Sequence, residues 1–209
     1  MRTAGVVLAA GSSRRMGRPK QLLPLDGSTL LETVLAAALR ARLDEVVLVL
    51  GDGAERIAAS IDTHGARVVV AADHAEGMGA SLRAGVAALG PEVERVAILL
   101  GDQPRVGAAL VDAVLERHLR SGLPAAAVSA GGVLQPPVAA DRRLWPQLLA
   151  AQGDSGLRAV LRAAPGKVAT LYVEDDAVDV DTPDDYRRLL AEPEVPVAGW
   201  DGGPARADD

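Results

Sequence analysis

Four basic side chains, Arg14, Arg15, Arg18 and Lys20, crowd the segment "VVLAAGSSRRMGRPKQLLPLDG", residues 6–27. Guanidinium and ammonium groups do not enter a core unpaired, so this segment faces water or an anion. Gly11, Ser12, Ser13 and Gly17 are small enough to leave backbone N–H groups open to an anionic ligand, around which the long cationic arms can close. That is the chemistry of a phosphate cradle. It is built differently from the dinucleotide fingerprint and the Walker A loop, because neither G-x-G-x-x-G nor G-x-x-x-x-G-K-[ST] occurs in this segment.

Carboxylates supply the complementary chemistry. Asp102 directly follows the apolar run "VAILLG" and precedes Gln103-Pro104, a position where an ionised side chain needs a partner or a cation. Asp179 and Asp181 lie two apart on an extended segment and therefore point to the same side. One of that pair facing Asp102 makes a hard-oxygen site suited to Mg²⁺, which prefers a few carboxylates plus substrate phosphates. Carboxylates beside a basic loop fit phosphoryl chemistry better than glycoside hydrolysis, which needs no cationic cradle. Asp184 and Asp185 open the next helix and complement its dipole. In "EGMGASLRAG", residues 76–85, Gly77 and Gly79 permit close approach of a flat ligand, while Ser81 offers a hydroxyl and Arg83 a charge. His64, His74 and His118 are scattered and no G-x-S-x-G elbow is present, so each histidine is read as a surface or loop residue. Trp145 reads as core and Trp200 as a tail residue, too isolated for a base-stacking platform.

These groups need a scaffold, and the pattern of the chain provides one. Continuous apolar runs at residues 4–10, 45–50, 66–71 and 95–100 read as parallel strands covered on both faces. Helical patterns at 29–43, 53–61 and 80–89 alternate with them at βαβ spacing. A helix at 109–120 and strands at 124–129 and 168–173 continue the series. Between them lies a less regular insert, residues 130–166, with a glycine pair, a proline pair and two short helical patterns. Thr182-Pro183 starts a last helix, a capping hydroxyl followed by proline at the first helical position. The expected fold is a single α/β domain over residues 1–191, doubly wound, with a mostly parallel sheet and helices on both faces. Ligands of such sheets bind beyond the carboxyl ends of the strands, where residues 11–20, 101–104 and 179–181 all fall.

Composition narrows the function classes. The chain has 209 residues, 49% hydrophobic and 24% charged, without Phe or Cys. Lacking Cys, it has no disulfide framework, thiolate metal site or cysteine nucleophile. The formal charge of −6 argues against wrapping nucleic acid. Residues 192–209 carry five acidic residues and one Arg and read as a mobile acidic tail. No apolar run is long enough for a membrane span, and residues 1–3 lead directly into a strand pattern. The expectation is a cytoplasmic protein whose oligomeric state the sequence leaves open.

Taken in order, "LAAGSSRRMGRPKQLLPLDG", "EGMGASLRAGV", "LLGDQP", "AAQGDSGLR" and "VDVDTPDDY" resemble the molybdenum-cofactor cytidylyltransferase-like group of the nucleoside-triphosphate transferases, over about residues 5–190. The resemblance implies a nucleotide-diphospho-sugar transferase-like, Rossmann-type fold. It implies an enzyme that uses Mg²⁺ and a nucleoside triphosphate, CTP favoured, to place the nucleoside monophosphate on a phosphorylated acceptor such as molybdopterin, releasing pyrophosphate. Another base such as GTP, a sugar- or alcohol-phosphate acceptor, a non-catalytic nucleotide-binding protein and an NAD- or flavin-dependent oxidoreductase are the alternatives. Leu8, Ala9, Ala10, Gly11, Ser12, Ser13, Arg14, Arg15 and Lys20 would contact the nucleotide, with Gly79 and Ser81 near base and ribose. Arg15, Lys20 and Asp102 would carry catalysis, and Lys20 would neutralise charge at the α-phosphate. Asp102 and Asp181 would hold the metal. Asp154 and Arg158 would meet the acceptor, together with Gly153 and Gly156 of the same motif. A molybdoenzyme or maturation protein is the implied macromolecular partner. The chain departs from the group at Leu134-Gln135-Pro136-Pro137-Val138, where a glycine followed by His or Asn and then Pro is usual. That departure bears on the acceptor and leaves the transfer chemistry intact.

Overall fold

Val, Leu and Ala fill residues 4–10 apart from Gly5, and a strand without a polar face is stable only where both its faces are covered. In the computed structural model of the chain, which describes residues 1–154, 156–164, 166–173 and 179–191, this run forms β1 (Arg2–Ala9), an interior strand of a seven-stranded sheet. The elements after it are β2 (Pro24–Leu25), β3 (Ser28–Thr29), α1 (Leu30–Arg40), β4 (Glu45–Leu50), α2 (Ala54–Ser60), β5 (Arg67–Val70), α3 (Met78–Ala87), β6 (Val93–Leu100), α4 (Ala108–Ser121), β7 (Ala125–Ala130), β8 (Val133–Asp141), α5 (Trp145–Leu149), α6 (Gly156–Arg162), β9 (Val168–Tyr172) and α7 (Pro183–Ala191). The strand order is β5-β4-β1-β6-β8-β7-β9, with β2 and β3 as a separate hairpin. β1 pairs in parallel with β4 and β6, so Ala9 stands beside Leu50 and Leu8 beside Leu100. Their carboxyl ends thus finish together, and the loops that follow them meet.

The fold is the expected α/β architecture with a mostly parallel sheet, and its one antiparallel member corrects the reading of the insert. Residues 133–141 form a nine-residue strand, β8, antiparallel to both β6 and β7. The proline pair obscured it in the sequence, since proline cannot donate to a ladder. Pairing with β6 begins only at Val138, and partners along β7 jump from Val138 to Gln135 across Pro136 and Pro137, at a register shift. The prolines sit where the ladder is already interrupted.

Two buried clusters cover the sheet. Leu31, Val34 and Leu35 of α1, Ile57 of α2 and Val111 and Val114 of α4 pack on one face. Leu82 and Val86 of α3, Leu148 of α5 and Leu157 and Val160 of α6 pack on the other. A third, small cluster joins Met16, Leu23, Leu25, Leu30, Val180 and Leu189. It ties the basic loop, the hairpin and α7 into one corner at the carboxyl end of the sheet. α1 begins on a capping box: Thr29 Oγ1 accepts from the Glu32 N–H, and Glu32 Oε2 accepts from the Thr29 N–H at 2.8 Å. Among the described residues, no helix is long and apolar enough to cross a membrane. The tail read as mobile, 192–209, and Trp200 within it lie outside the described residues.

Candidate active site

The loop after β1 turns tightly on itself. Ser13 adopts a left-handed backbone, φ 51°, and its carbonyl accepts from the N–H groups of Met16 and Gly17. The side chain of Ser13 then spans the loop: its Oγ accepts from the Lys20 N–H at 3.0 Å and donates to Gln21 Oε1 at 3.3 Å. Gln21 is 2% exposed, and its amide donates to the carbonyls of Ala9 at 2.9 Å and Gly11 at 3.0 Å. One buried amide therefore links the end of β1, the turn at Ser13 and the start of the segment bearing Lys20. Ser12, Gly11, Arg14, Arg15, Gly17 and Arg18 are exposed, whereas Leu8, Ala9 and Ala10 are buried under the turn.

Lys20 is delivered to the carboxylates. Its Nζ lies 2.5 Å from Asp102 Oδ2 and 2.8 Å from Asp181 Oδ1, and Arg15 holds the other oxygen of Asp181 at 2.6 Å. Burial favours the neutral amine, but the two carboxylates outweigh it and raise the Lys20 pKa. At Asp181 burial favours the acid form, and Lys20 with Arg15 overcomes it, so that carboxyl is held below its usual range. Asp102 Oδ1 is buried and has no hydrogen-bond partner among the described residues. An unpartnered buried carboxylate oxygen is costly, and it is the donor a cation would satisfy.

The position of the last carboxylates follows from Val180. Its side chain is fully buried in the third cluster and its N–H donates to the Asp102 carbonyl at 3.0 Å, which leaves Asp179 and Asp181 on either side of it, beside Asp102. Asp179 accepts from Gln103 Nε2 at 2.8 Å. Burial, with Asp102 and Asp181 nearby, pushes its pKa up to about 6. The sequence reading asked for one carboxylate of this pair to face Asp102. In the structure both are near it, one bound to Lys20 and the other to Gln103. Among the described residues, no three or more metal-ligating side chains are grouped to hold an ion by themselves. Further oxygens would have to come from a substrate or from water.

The glycines of the second motif lie against another loop. A Cβ on Gly79 would lie 2.7 Å from Gln152 Cα, and one on Gly77 would lie 2.8 Å from the Asp154 nitrogen. The Gly79 N–H donates to the Gly153 carbonyl at 2.9 Å. The close approach that these glycines permit in the structure is to the backbone of residues 152–154. Two motifs far apart in sequence, 76–85 and 151–158, are locked together by it. Ser81 is buried on α3, and Asp154 and Arg158 are exposed. Arg83 clamps the junction by donating to the Ala151 carbonyl at 2.6 Å and to Glu76 at 2.8 Å. A cleft of about 330 Å³ opens beside it, lined by Glu76, Arg83, Leu149, Ala150, Gln152 and Gly153.

Two residues important to this geometry escaped the sequence reading, Gln21 and Gln103 in its contact with Asp179, and so, outside the site, did the burial of His118. His64 is exposed and His74 half-buried, but His118 is 5% exposed on α4, against the expectation of a surface or loop residue. Its neighbours on the helix, exposed Leu119 and Arg120, hid the fact that it lies on the inner face. For Gln21, the available signal was a lone amide inside the apolar string "QLLPL".

A family model described as MobA-like NTP transferase domain matches residues 5–168. The chain is 36% identical over 195 residues to a nicotine blue oxidoreductase of Paenarthrobacter nicotinovorans, covering 89% of this chain and 95% of that protein. Among solved structures it is similar to Rv0371c of Mycobacterium tuberculosis H37Rv, with a TM-score of 0.84, 34% identity and 92% and 100% of the two chains covered. The same Mycobacterium protein has also been crystallised in complex with manganese. A nucleotidyl transferase from Methanothermobacter thermautotrophicus superposes with a TM-score of 0.76 at 25% identity, over 90% of this chain and 95% of that one.

Proposed function

The chain belongs to the family of MobA-like NTP transferase domains, whose chemistry is nucleotidyl transfer from a nucleoside triphosphate to a phosphorylated acceptor, and on that premise we propose a Mg²⁺-dependent cytidylyltransferase acting at the Lys20–Asp102–Asp181 cluster. The observation that carries this reading is the convergence of a polyphosphate-sized basic loop with two carboxylates on a single ammonium group. The acceptor belongs to the class of molybdopterin-like phosphates, and the nucleotide is CTP.

Arg14 and Arg18, which are exposed and have no ion-pair partner among the described residues, would meet the outer phosphates. Backbone N–H groups at Gly11 and Ser12 would face them on the inner side. The acceptor phosphate oxygen forms a bond to the α-phosphorus, and the bond from that phosphorus to the bridging oxygen breaks. Pyrophosphate leaves with the electron pair. Lys20 and Arg15 oppose the charge that develops, so catalysis is mainly positioning and neutralisation. The donor set fits a hard divalent cation: Asp102, with its buried unpartnered oxygen, and Asp181 would hold it. When bound, the ion supplies neutralisation of the triphosphate and of the departing pyrophosphate. The manganese complex of the Mycobacterium protein supports a divalent-cation site in this kind of chain. Asp154 and Arg158 would meet the acceptor.

The similarity to a protein named an oxidoreductase supports a second reading, and one experiment separates the two. Pyrophosphate release is measured across CTP, GTP, ATP and UTP with Mg²⁺, against molybdopterin-type and sugar-phosphate acceptors, alongside reduced nicotinamide cofactors. The transferase reading expects release with CTP and a molybdopterin-type acceptor. Nicotinamide oxidation without pyrophosphate release would overturn it, as would nucleotide binding without turnover on any acceptor.

A further inference from the structure

A second cleft, mainly apolar but with charged side chains in its lining, lies at the opposite end of the sheet. About 410 Å³ in volume, it is lined by apolar Met1, Leu119 and Leu123 and by charged or polar Arg95, His118 and Asp141, with Glu94, Arg142 and Arg143 also in its wall. Thr3, Arg95 and Asp141 are neighbours in register across β1, β6 and β8 there. The rise of a parallel strand sets Thr3 roughly 20 Å from Ala9, where the basic loop begins. The cleft therefore shares no wall with the Lys20 cluster.

Its polar groups are incompletely satisfied. Arg95 is only 9% exposed, and its guanidinium donates to Thr3 Oγ1 at 3.0 Å and touches Met1 Sδ at 3.1 Å. It has no carboxylate partner among the described residues. Asp141, the nearest acid in register, is taken by Arg143 at 2.6 Å. A buried guanidinium without a counter-charge is costly. His118 is 95% buried, and among the described residues neither ring nitrogen has a hydrogen-bond partner; Nε2 stands 3.5 Å from Asp141 Oδ2, an ion-pair distance. Burial lowers the His118 pKa and Arg95 reinforces this, outweighing the pull of Asp141. Arg142 is saturated by the carbonyls of Gly90, Pro91 and Val93 and leans on the Trp145 ring. Leu119 and Leu123 supply an apolar wall.

We propose that this cleft is a binding site for a small monocarboxylate with an aliphatic or aryl body, its carboxylate taken by Arg95 and His118 and its body lying on Leu119 and Leu123. One negative charge matches the buried guanidinium of Arg95, which has no carboxylate partner among the described residues. Glu94 and Asp141 in the lining repel a more highly charged anion such as phosphate more strongly than a monocarboxylate. The site is independent of the nucleotidyl-transfer reading.

The test uses the full chain and three probes: hexanoate, its uncharged counterpart hexanamide, and inorganic phosphate. Binding is read from the His118 ring resonances by NMR and from the thermal midpoint. Hexanoate should shift the His118 signals saturably and raise the midpoint, with at least tenfold weaker responses to hexanamide and phosphate. Arg95→Gln should abolish the response. Leu119→Glu, at an exposed position that does not threaten folding, should weaken it at least tenfold. Lys20→Ala should leave it unchanged. Absence of a His118 shift, equal responses to hexanamide or phosphate, an unaffected Leu119→Glu variant or loss in Lys20→Ala would each overturn the proposal.

Discussion

At Lys20 two demands meet in one ammonium group. It neutralises Asp102 and Asp181 in the structure as it stands, and the proposed reaction asks it to oppose charge on a phosphate. Lys20→Ala should therefore lower kcat by about 10²–10³-fold, the range for deleting one preorganised charge-stabilising donor, while far-UV circular dichroism stays native. The same change removes the largest effect holding the Asp181 pKa down, so that carboxyl should titrate higher by NMR. Gln21 makes a separate prediction. Replacing it by Leu leaves the Ala9 and Gly11 carbonyls without their donor, which should cost about 1–3 kcal/mol in chemical unfolding. The loop would lose its anchor, so kcat should fall more than KM rises. Basic residues and Asp102 could be picked out of the sequence because charge at a strand end needs an explanation. Gln21 could not, because a buried amide is identified by its partners and those are backbone carbonyls.

Elements place these side chains, and their own stability is open to test. α1 starts at a hydroxyl-carboxylate pair, and Thr29→Ala should destabilise the protein by about 1 kcal/mol. Glu32 accepts from the Asp62 and Thr29 N–H groups and from the Thr29 and Ser28 hydroxyls, and these contacts draw its pKa down to about 2 from 4.5. A carboxyl whose folded pKa is depressed binds fewer protons in the native state. Its contribution is then fully present above about pH 4.5 and is lost as the pH falls toward 2. Urea titrations across that window should show a shallower loss of stability in Glu32→Gln than in the wild-type chain. At the glycine junction, Gly79→Ala pushes a methyl group against the Gln152 backbone and should cost about 1–3 kcal/mol, the range for overpacking. Strand and helix periodicity placed most elements within a few residues, and β4 at residues 45–50 without error. β8 was hidden because its prolines break the alternation that marks a strand. The partners of Gly77 and Gly79 were hidden because the contact joins segments about 75 residues apart.

For the whole molecule, the chain order of the motifs matters less than the strand order. β1 and β6 are adjacent, so the basic loop and Asp102 emerge side by side, and the segment before α7 returns over both. This convergence was legible from the doubly wound pattern, since the loops at the carboxyl ends of neighbouring strands must meet. The opposite rim carries the Arg95–His118 cleft, and periodicity gave no sign of it. A buried arginine without a counter-ion becomes visible only once its neighbours are in place. The central claim is that the Lys20–Asp102–Asp181 cluster performs nucleotidyl transfer. It is tested most directly by pyrophosphate release from CTP, with Mg²⁺ and a molybdopterin-type acceptor, for the wild-type chain beside Asp102→Asn. Turnover should require both acceptor and metal, and should be lost with the fold intact in Asp102→Asn. Equal turnover and an unchanged Mg²⁺ titration in that variant would contradict the claim.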